Sequence, residues 1–361
     1  MAIKYAYKAV LTPPICIKPV GEGANLVFIS IRLQYNRCVT LTQTAILTKK
    51  FILFSAIALV LGIVSFIGYR LWQNWYLSTL PIVEEQPDTK FGILPTLEFP
   101  QRPVSSSNFT YSLDTTTGGL PKFDKIIKVF FLPKTYATFL SSQKSQDLAE
   151  KFNIKTAPQI LSEINYLYKD GEKTLEVNLD SGNFSFKKEA TPSAGALDSD
   201  DKLIADFKSV LSSLGVLKDQ LKNGRAKVVD SQISLWPGDL DGKTIFTPEF
   251  NKSLVNAEVS GSANNLENYL ALNFTFFSID ESTFATYPLK KAEEAFEDLK
   301  QGKGVIMLEP PKPQVSITSV YLGYYLPENY TPYLQPIYVF EGPNFVAFAS
   351  AVSREFQTSG N

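Results

Sequence analysis

Nineteen consecutive residues, Phe51 to Tyr69, carry no charge. At about 1.5 Å of rise per residue, a helix of that length covers nearly all of the roughly 30 Å of hydrocarbon in a bilayer. The run therefore predicts a single transmembrane helix over residues 51 to about 72, inside an anchor segment 49–76. Lys49 and Lys50 stand at its start, while Trp72, Trp75 and Tyr76 form an interfacial belt at its end. Positive charge on the inner flank and aromatic rings at the interface orient the N-terminus to the cytoplasm and the rest of the chain outside. The bulky stretch from Tyr69 to Trp75 lacks the small residues of a cleavage site, so the segment reads as an uncleaved signal anchor of a single-pass protein.

Charge is split across that anchor. Before residue 51 there are seven basic groups (Lys4, Lys8, Lys18, Arg32, Arg37, Lys49, Lys50) and one acid (Glu22). That is +6 on the cytoplasmic side, and the whole chain is -1, so -7 remains for the outer part. Such a balance gives no general attraction to nucleic acid. Residues 1–48 show no periodicity or motif. They are either a short cytoplasmic tail or a stretch upstream of the true start of translation.

The chain has no histidine, and its only cysteines, Cys16 and Cys38, precede the anchor. Ser-His-Asp and Cys-His catalysis, His-ligated zinc and thiolate metal sites are thereby excluded from the outer region, as is a disulfide there. Neither a catalytic residue, a cofactor nor a metal ligand is assigned. Apolar residues at 44% and charged residues at 20% describe a globular chain, and 26 Phe with 17 Tyr favour strands.

Five prolines and a Ser105-Ser106-Ser107 run predict an extended stalk over 77–108. Beyond it the pattern is α+β, with antiparallel sheets and a few packed helices. A first unit, 109–190, contains strands at Ile126–Leu132, Ile160–Tyr168, Lys173–Leu179 and Asn183–Lys188, with a helix at Ser145–Phe152. Asp170-Gly171 between apolar runs is a hairpin signal. A small-residue linker, Thr191–Ser199, leads to a second unit, 200–352. It opens with a helix whose apolar stripe is Leu203, Ile204, Phe207, Val210, Leu211 and Leu214. Strands follow at Arg225–Leu235, Asn251–Ser260 and Tyr269–Ile279, then a helix at Pro288–Gln301. The closing strands are Val315–Leu326, Gln335–Glu341 and Asn344–Val352, before a disordered tail at 353–361.

Several motifs fail when their chemistry is required of them. Gly238-Asp239-Leu240-Asp241-Gly242-Lys243-Thr244 resembles a P-loop, but Pro237 stands where the first glycine belongs and two carboxylates sit where amides should cradle phosphate. Its Asp239-x-Asp241-Gly242 fragment lacks the glutamate of a calcium loop, since position 248 is Pro248. A polar turn is the expectation. Ser141-x-x-Lys144 has no companion motifs of a penicillin-recognising enzyme. Glu293, Glu294, Glu297 and Asp298, accompanied by Lys290, Lys291 and Lys300, suit a solvated helix face. Tyr321, Tyr324, Tyr325, Tyr330, Tyr333, Tyr338 and Phe340 suit the core and rim of a sheet, with a binding face as the alternative.

Three C-terminal stretches carry a family resemblance. They are Tyr287 to Gly304, ending in Leu299-Lys300-Gln301-Gly302; Ile317 to Tyr325, with Leu322-Gly323-Tyr324-Tyr325; and Tyr333 to Gly342, followed by Val346 to Val352. This unit resembles the C-terminal part of YycH/YycI-type single-pass membrane regulatory proteins, with Tyr338 where that family has tryptophan. The resemblance implies an extracytoplasmic α+β region that adjusts a sensor histidine kinase at the cell envelope. The expected function is thus a membrane-anchored, non-catalytic regulatory or scaffold protein. Its partners would be the lipid bilayer and another membrane or envelope protein. A carboxylate-dependent envelope hydrolase, or a PepSY-like protease inhibitor or chaperone, is the alternative. Ser55, Ala58, Gly62 and Ser65 fall on one face of the anchor and form a candidate surface for packing a second helix.

Overall fold

The structure, a computed structural model, describes residues 41–79, 86–189 and 197–358. The tail 1–40 with both cysteines, most of the 191–199 linker, and residues 359–361 lie outside the described residues. The described residues fall into two units divided near residue 83. The first contains one helix, α1 (Leu41–Thr79). Within it Thr48–Tyr76 is long and apolar enough to cross a membrane, and none of that stretch is buried.

The second unit is a mixed α+β body. In chain order it runs β1 (Thr110–Leu113), β2 (Ile126–Phe131), α2 (Ser141–Lys151), β3 (Gln159–Ile160), β4 (Asn165–Asp170), β5 (Lys173–Asn178), β6 (Phe184–Lys188), α3 (Asp200–Ser213), α4 (Asp219–Lys222), β7 (Ala226–Val229), β8 (Gln232–Leu235) and β9 (Ile245–Phe246). It continues through β10 (Val255–Val259), β11 (Tyr269–Phe274), β12 (Asp280–Pro288), α5 (Ala292–Lys300), β13 (Val305–Leu308), β14 (Gln314–Ile317), β15 (Ser319–Tyr325), β16 (Tyr333–Gly342) and β17 (Phe345–Ser350).

Two lobes emerge from the strand pairing. The first is an eight-stranded sheet in the order β3-β4-β5-β6-β11-β10-β8-β7, antiparallel throughout. Strand alternation points Leu175, Val177, Phe184, Phe186, Leu272 and Phe274 to one face. There they meet Leu148 of α2, Phe207 and Leu211 of α3 and Leu221 of α4 in one continuous core. The helix stripe read from sequence is the buried face of α3, where Leu203, Phe207, Val210 and Leu211 are enclosed. The hairpin at Asp170-Gly171 joins β4 to β5, with Gly171 at φ 58°, where a side chain would be strained.

The second lobe has seven strands, β12-β2-β16-β15-β9, with β17 beside β16 and β13 beside β17. A parallel pair, β1 and β14, packs against it. Its core is divided into several clusters, rich in rings such as Tyr324, Tyr338, Phe340 and Phe348. Gly342 lets β16 pass close to β14, since a Cβ at that position would stand 2.0 Å from the Ser316 carbonyl oxygen.

Three boundaries differ from the sequence expectation. Residues 86–108 are not a stalk. Leu94 is fully buried, Asp88 Oδ1 accepts from the Thr286 amide at 2.8 Å, and Gln335 Nε2 donates to the Pro95 carbonyl at 2.7 Å. Proline excludes helix here but leaves these side chains free to fill the edge of the core. Residues 353–358 are not a loose tail, because Thr358 N donates to Leu94 O at 2.8 Å and Leu94 bridges Gln357. Nor does 190–200 separate two units, because β6 pairs with β11 across it in register from Phe184↔Phe274 to Lys187↔Ala271. Instead the chain passes between the lobes four times, after β2, β8, β9 and β11.

Candidate functional site

The face of the eight-stranded sheet opposite the helices has its own order. Register places Leu167, Glu176, Ser185, Asn273, Asn256, Ser234 and Lys227 in one row across seven strands. Each is the alternate neighbour of a core residue, so burial of Val177, Phe186, Leu272 and Ala257 on one side obliges the row to face the other. Three of the polar side chains bond one another. Ser185 Oγ donates to Asn273 Oδ1 at 2.7 Å, and Asn273 Nδ2 donates to Asn256 Oδ1 at 3.2 Å. Asn256 Nδ2 then donates to the Ser253 carbonyl at 2.7 Å. Asn256 and Ser234 are buried.

Glu176, Ser185, Asn273 and Asn256, the middle of the row, floor a cleft of about 370 Å³ that is also lined by Pro248, Glu249, Lys252 to Leu254 and Glu328. An adjoining recess of about 460 Å³ shares Asn178, Asn183, Thr275 and Glu328 with it and ends at Phe277 and Tyr330. Those two rings meet edge to face at 5.6 Å. The Tyr330 hydroxyl donates to the Leu132 carbonyl at 2.8 Å, and burial pushes its pKa up. Asn178 Nδ2 donates to Asn165 Oδ1 at 2.9 Å, and Asn183 Oδ1 accepts from the Phe276 amide at 3.0 Å. Three of the four passages between the lobes, at 133–135, 248–254 and 275–278, line this space. The cleft is thus where the lobes are stitched together.

This site was missed in the sequence, although a signal existed. Asparagine is depleted in strands. Here Asn165, Asn178, Asn256 and Asn273 all lie in strands, three of them beside strongly apolar neighbours, as in Leu272-Asn273-Phe274. Asn183, in the turn before β6, lines the same cleft.

On α1, Ser55, Ala58, Gly62 and Ser65 are all exposed, and no atom outside the helix backbone lies within 4 Å of a Cβ built on Gly62. Ser55 Oγ donates to the Ile52 carbonyl at 2.9 Å. Trp72 and Tyr76 stack at 5.6 Å, Tyr69 lies 6.3 Å from Trp72, and Trp75 is exposed, so the belt residues gather at one end of the apolar run.

Other sequence candidates resolve into structural parts. Leu240 and Lys243 bridge a tight turn in which Asp241 and Gly242 have φ of 52° and 69°. Asp241 pairs there with Lys128 at 2.9 Å, as a polar turn would. Ser141 Oγ accepts from the Thr138 amide at 2.9 Å, at the start of α2. Lys290 and Asp298 correct the expected solvated face: both are buried and paired at 2.9 Å. The turn after β12 directs Lys290 inward, and α5 presents Asp298 to it. Tyr324, Tyr325 and Tyr338 are buried in the core, while Tyr321, Tyr330 and Tyr333 are half-buried, as core and rim. Comparison with known proteins finds no matching family model and no matching curated protein.

Proposed function

We propose that the chain is a single-pass membrane protein of the cell envelope, with its N-terminus in the cytoplasm and its two-lobed unit outside. In this reading it is a non-catalytic regulatory or scaffold protein, and the cleft between the lobes receives the component it senses. The observation that carries the reading is the pairing of an apolar, wholly exposed helix, Thr48–Tyr76, with a folded unit whose polar cleft is built from mutually bonded amides. A helix apolar on all sides is stable only in lipid or in a protein core. Amides held by one another suit reversible binding, since none of them is a strong acid, base or nucleophile.

The kinase-regulator role follows from the YycH/YycI resemblance of the C-terminal strands, and the small-residue face of α1 offers a kinase helix, or a second copy, a surface to pack on. Glu176, Glu249 and Glu328 line the same cleft and favour one second reading, a carboxylate-dependent hydrolase. The topology is tested by adding protease to intact cells or spheroplasts. The two-lobed unit should be digested from outside and the segment before Lys49 protected; protection of the unit would overturn the reading.

A further inference from the structure

We infer that the cleft between the lobes binds a neutral, hydroxyl-rich saccharide chain. The inference rests on the reading of the cleft as the receiving site and adds the chemistry of what is received.

The floor decides the class of ligand. An asparagine amide has two N–H donors and two acceptor lone pairs. Asn273 uses one donor toward Asn256 and one lone pair toward Ser185, and so keeps one of each while its orientation is fixed. Asn178 donates one N–H to Asn165 and accepts from both the amide and the hydroxyl of Ser181, at 3.0 and 2.9 Å, so it is also fixed and keeps one donor. A surface of fixed groups that both donate and accept matches hydroxyls, which do both in turn. Because the amides are oriented before the ligand arrives, little ordering cost falls on binding.

Charge narrows the class further. Over the floor three carboxylates, Glu176, Glu249 and Glu328, face one cation, Lys252, and the recess adds Asp180 with Lys134 and Lys218. With four carboxylates against three cations, the space has no excess of positive charge to hold phosphate, sulfate or uronate groups. The adjoining recess supplies what amides lack, an apolar platform. Phe277 and Tyr330 sit at the end of the same continuous space, and the C–H faces of pyranose rings pack on such rings.

An extended peptide fits less well. Peptides commonly bind by adding a strand to an open sheet edge. The floor strands β5, β6, β11 and β10 are each paired on both sides, so their main-chain groups are already engaged.

The test uses the full chain in detergent or nanodiscs, titrated with maltotetraose, cellotetraose and N-acetylchitotetraose as neutral probes. Tetragalacturonate, a chitosan tetramer and a library of short peptides are the comparison probes. Saturable binding of a neutral probe is expected. Phe277→Ala and Asn273→Ala should each weaken it about tenfold, the loss of one well-made contact. Ser185→Ala, which removes a single hydroxyl, checks the case in which Asn273→Ala disturbs folding, and Lys300→Ala on α5 should change nothing. Binding of the anionic tetramer or of peptides alone overturns the proposal, as does neutral binding that survives all three cleft variants or the absence of any neutral binding. Because topology is read separately by protease, a wrong ligand class and a wrong orientation give different results.

Discussion

Two carboxylates in the folded unit gather cations around themselves, one in the open and one sealed. Glu267, in the eight-stranded lobe, accepts from Lys173 at 2.8 Å, Lys188 at 3.2 Å and Asn153 at 2.8 Å, with its side chain 43% exposed. It thereby ties the end of α2 to β5 and β6. Asp298, in the seven-stranded lobe, meets Lys290 at 2.9 Å and also Arg354, and only 5% of its side chain is exposed. It ties α5 to the chain after β12 and to the C-terminal turn. The same chemistry has different worth in the two places. Water screens the first cluster, whereas the second has exchanged hydration for a single partner set and depends on that set being complete.

Breaking the sealed pair gives the largest expected effect. Asp298→Ala leaves the Lys290 ammonium buried with only the Ser350 carbonyl, at 3.1 Å, and should cost about 3–5 kcal/mol in denaturant unfolding. Replacing both partners, as Lys290→Met with Asp298→Leu, should recover most of that loss. A single variant costing under about 1 kcal/mol would put Asp298 on the same footing as Glu267.

A smaller effect comes from the shell around the sealed pair. The Tyr338 hydroxyl donates to the Lys290 carbonyl at 2.6 Å, in a fully buried position. Tyr338→Phe should lower stability by about 1 kcal/mol, and no change would mean that water replaces the lost donor.

The open cluster is sharpened by pH. Hydrogen bonds from Lys173 and Asn153 hold the Glu267 carboxyl at about 2, below its ordinary 4.5. A carboxyl depressed in the folded state contributes stability that is fully present above its unfolded value and is lost as pH falls through the folded one. Glu267→Gln should therefore differ from the unaltered chain by less than about 1 kcal/mol at neutral pH. That difference should vanish between pH 4.5 and about 2. A difference constant across this window would assign the effect to shape rather than charge.

Local rules reached much of this fold and stopped where packing at long range takes over. The α3 stripe was legible because six apolar residues repeat at helical spacing, and β4–β5–β6 because turn residues separate alternating runs. Arg225–Leu235 reads as one strand but is two, since Asp230 adopts φ 54° and turns the chain between β7 and β8. Val315–Leu326 likewise divides into β14 and β15. The two-residue strand β9 has no pattern to detect and exists because β15 supplies a parallel partner at Tyr324 and Tyr325. Asparagines inside strand patterns were a local signal for the cleft, but its assembly was not legible, for a related reason. Its asparagines come from four strands spread between 165 and 273, and only the register, set by the core on the opposite face, aligns them.

The four passages between the lobes also govern the order in which the molecule can be built. β1 and β2 emerge early in synthesis, yet their partners β12, β14 and β16 lie about 150 to 200 residues later. Loop closure over such distances is slow, and unpaired strands wait with their edges bare. A chain delivered N-terminus first must keep β1 and β2 from wrong partners until almost the whole unit has arrived. The seven-stranded lobe therefore cannot close until β16 appears, and a nascent chain halted between Phe274 and Tyr333 holds all strands of the eight-stranded lobe beside an unfinished second one.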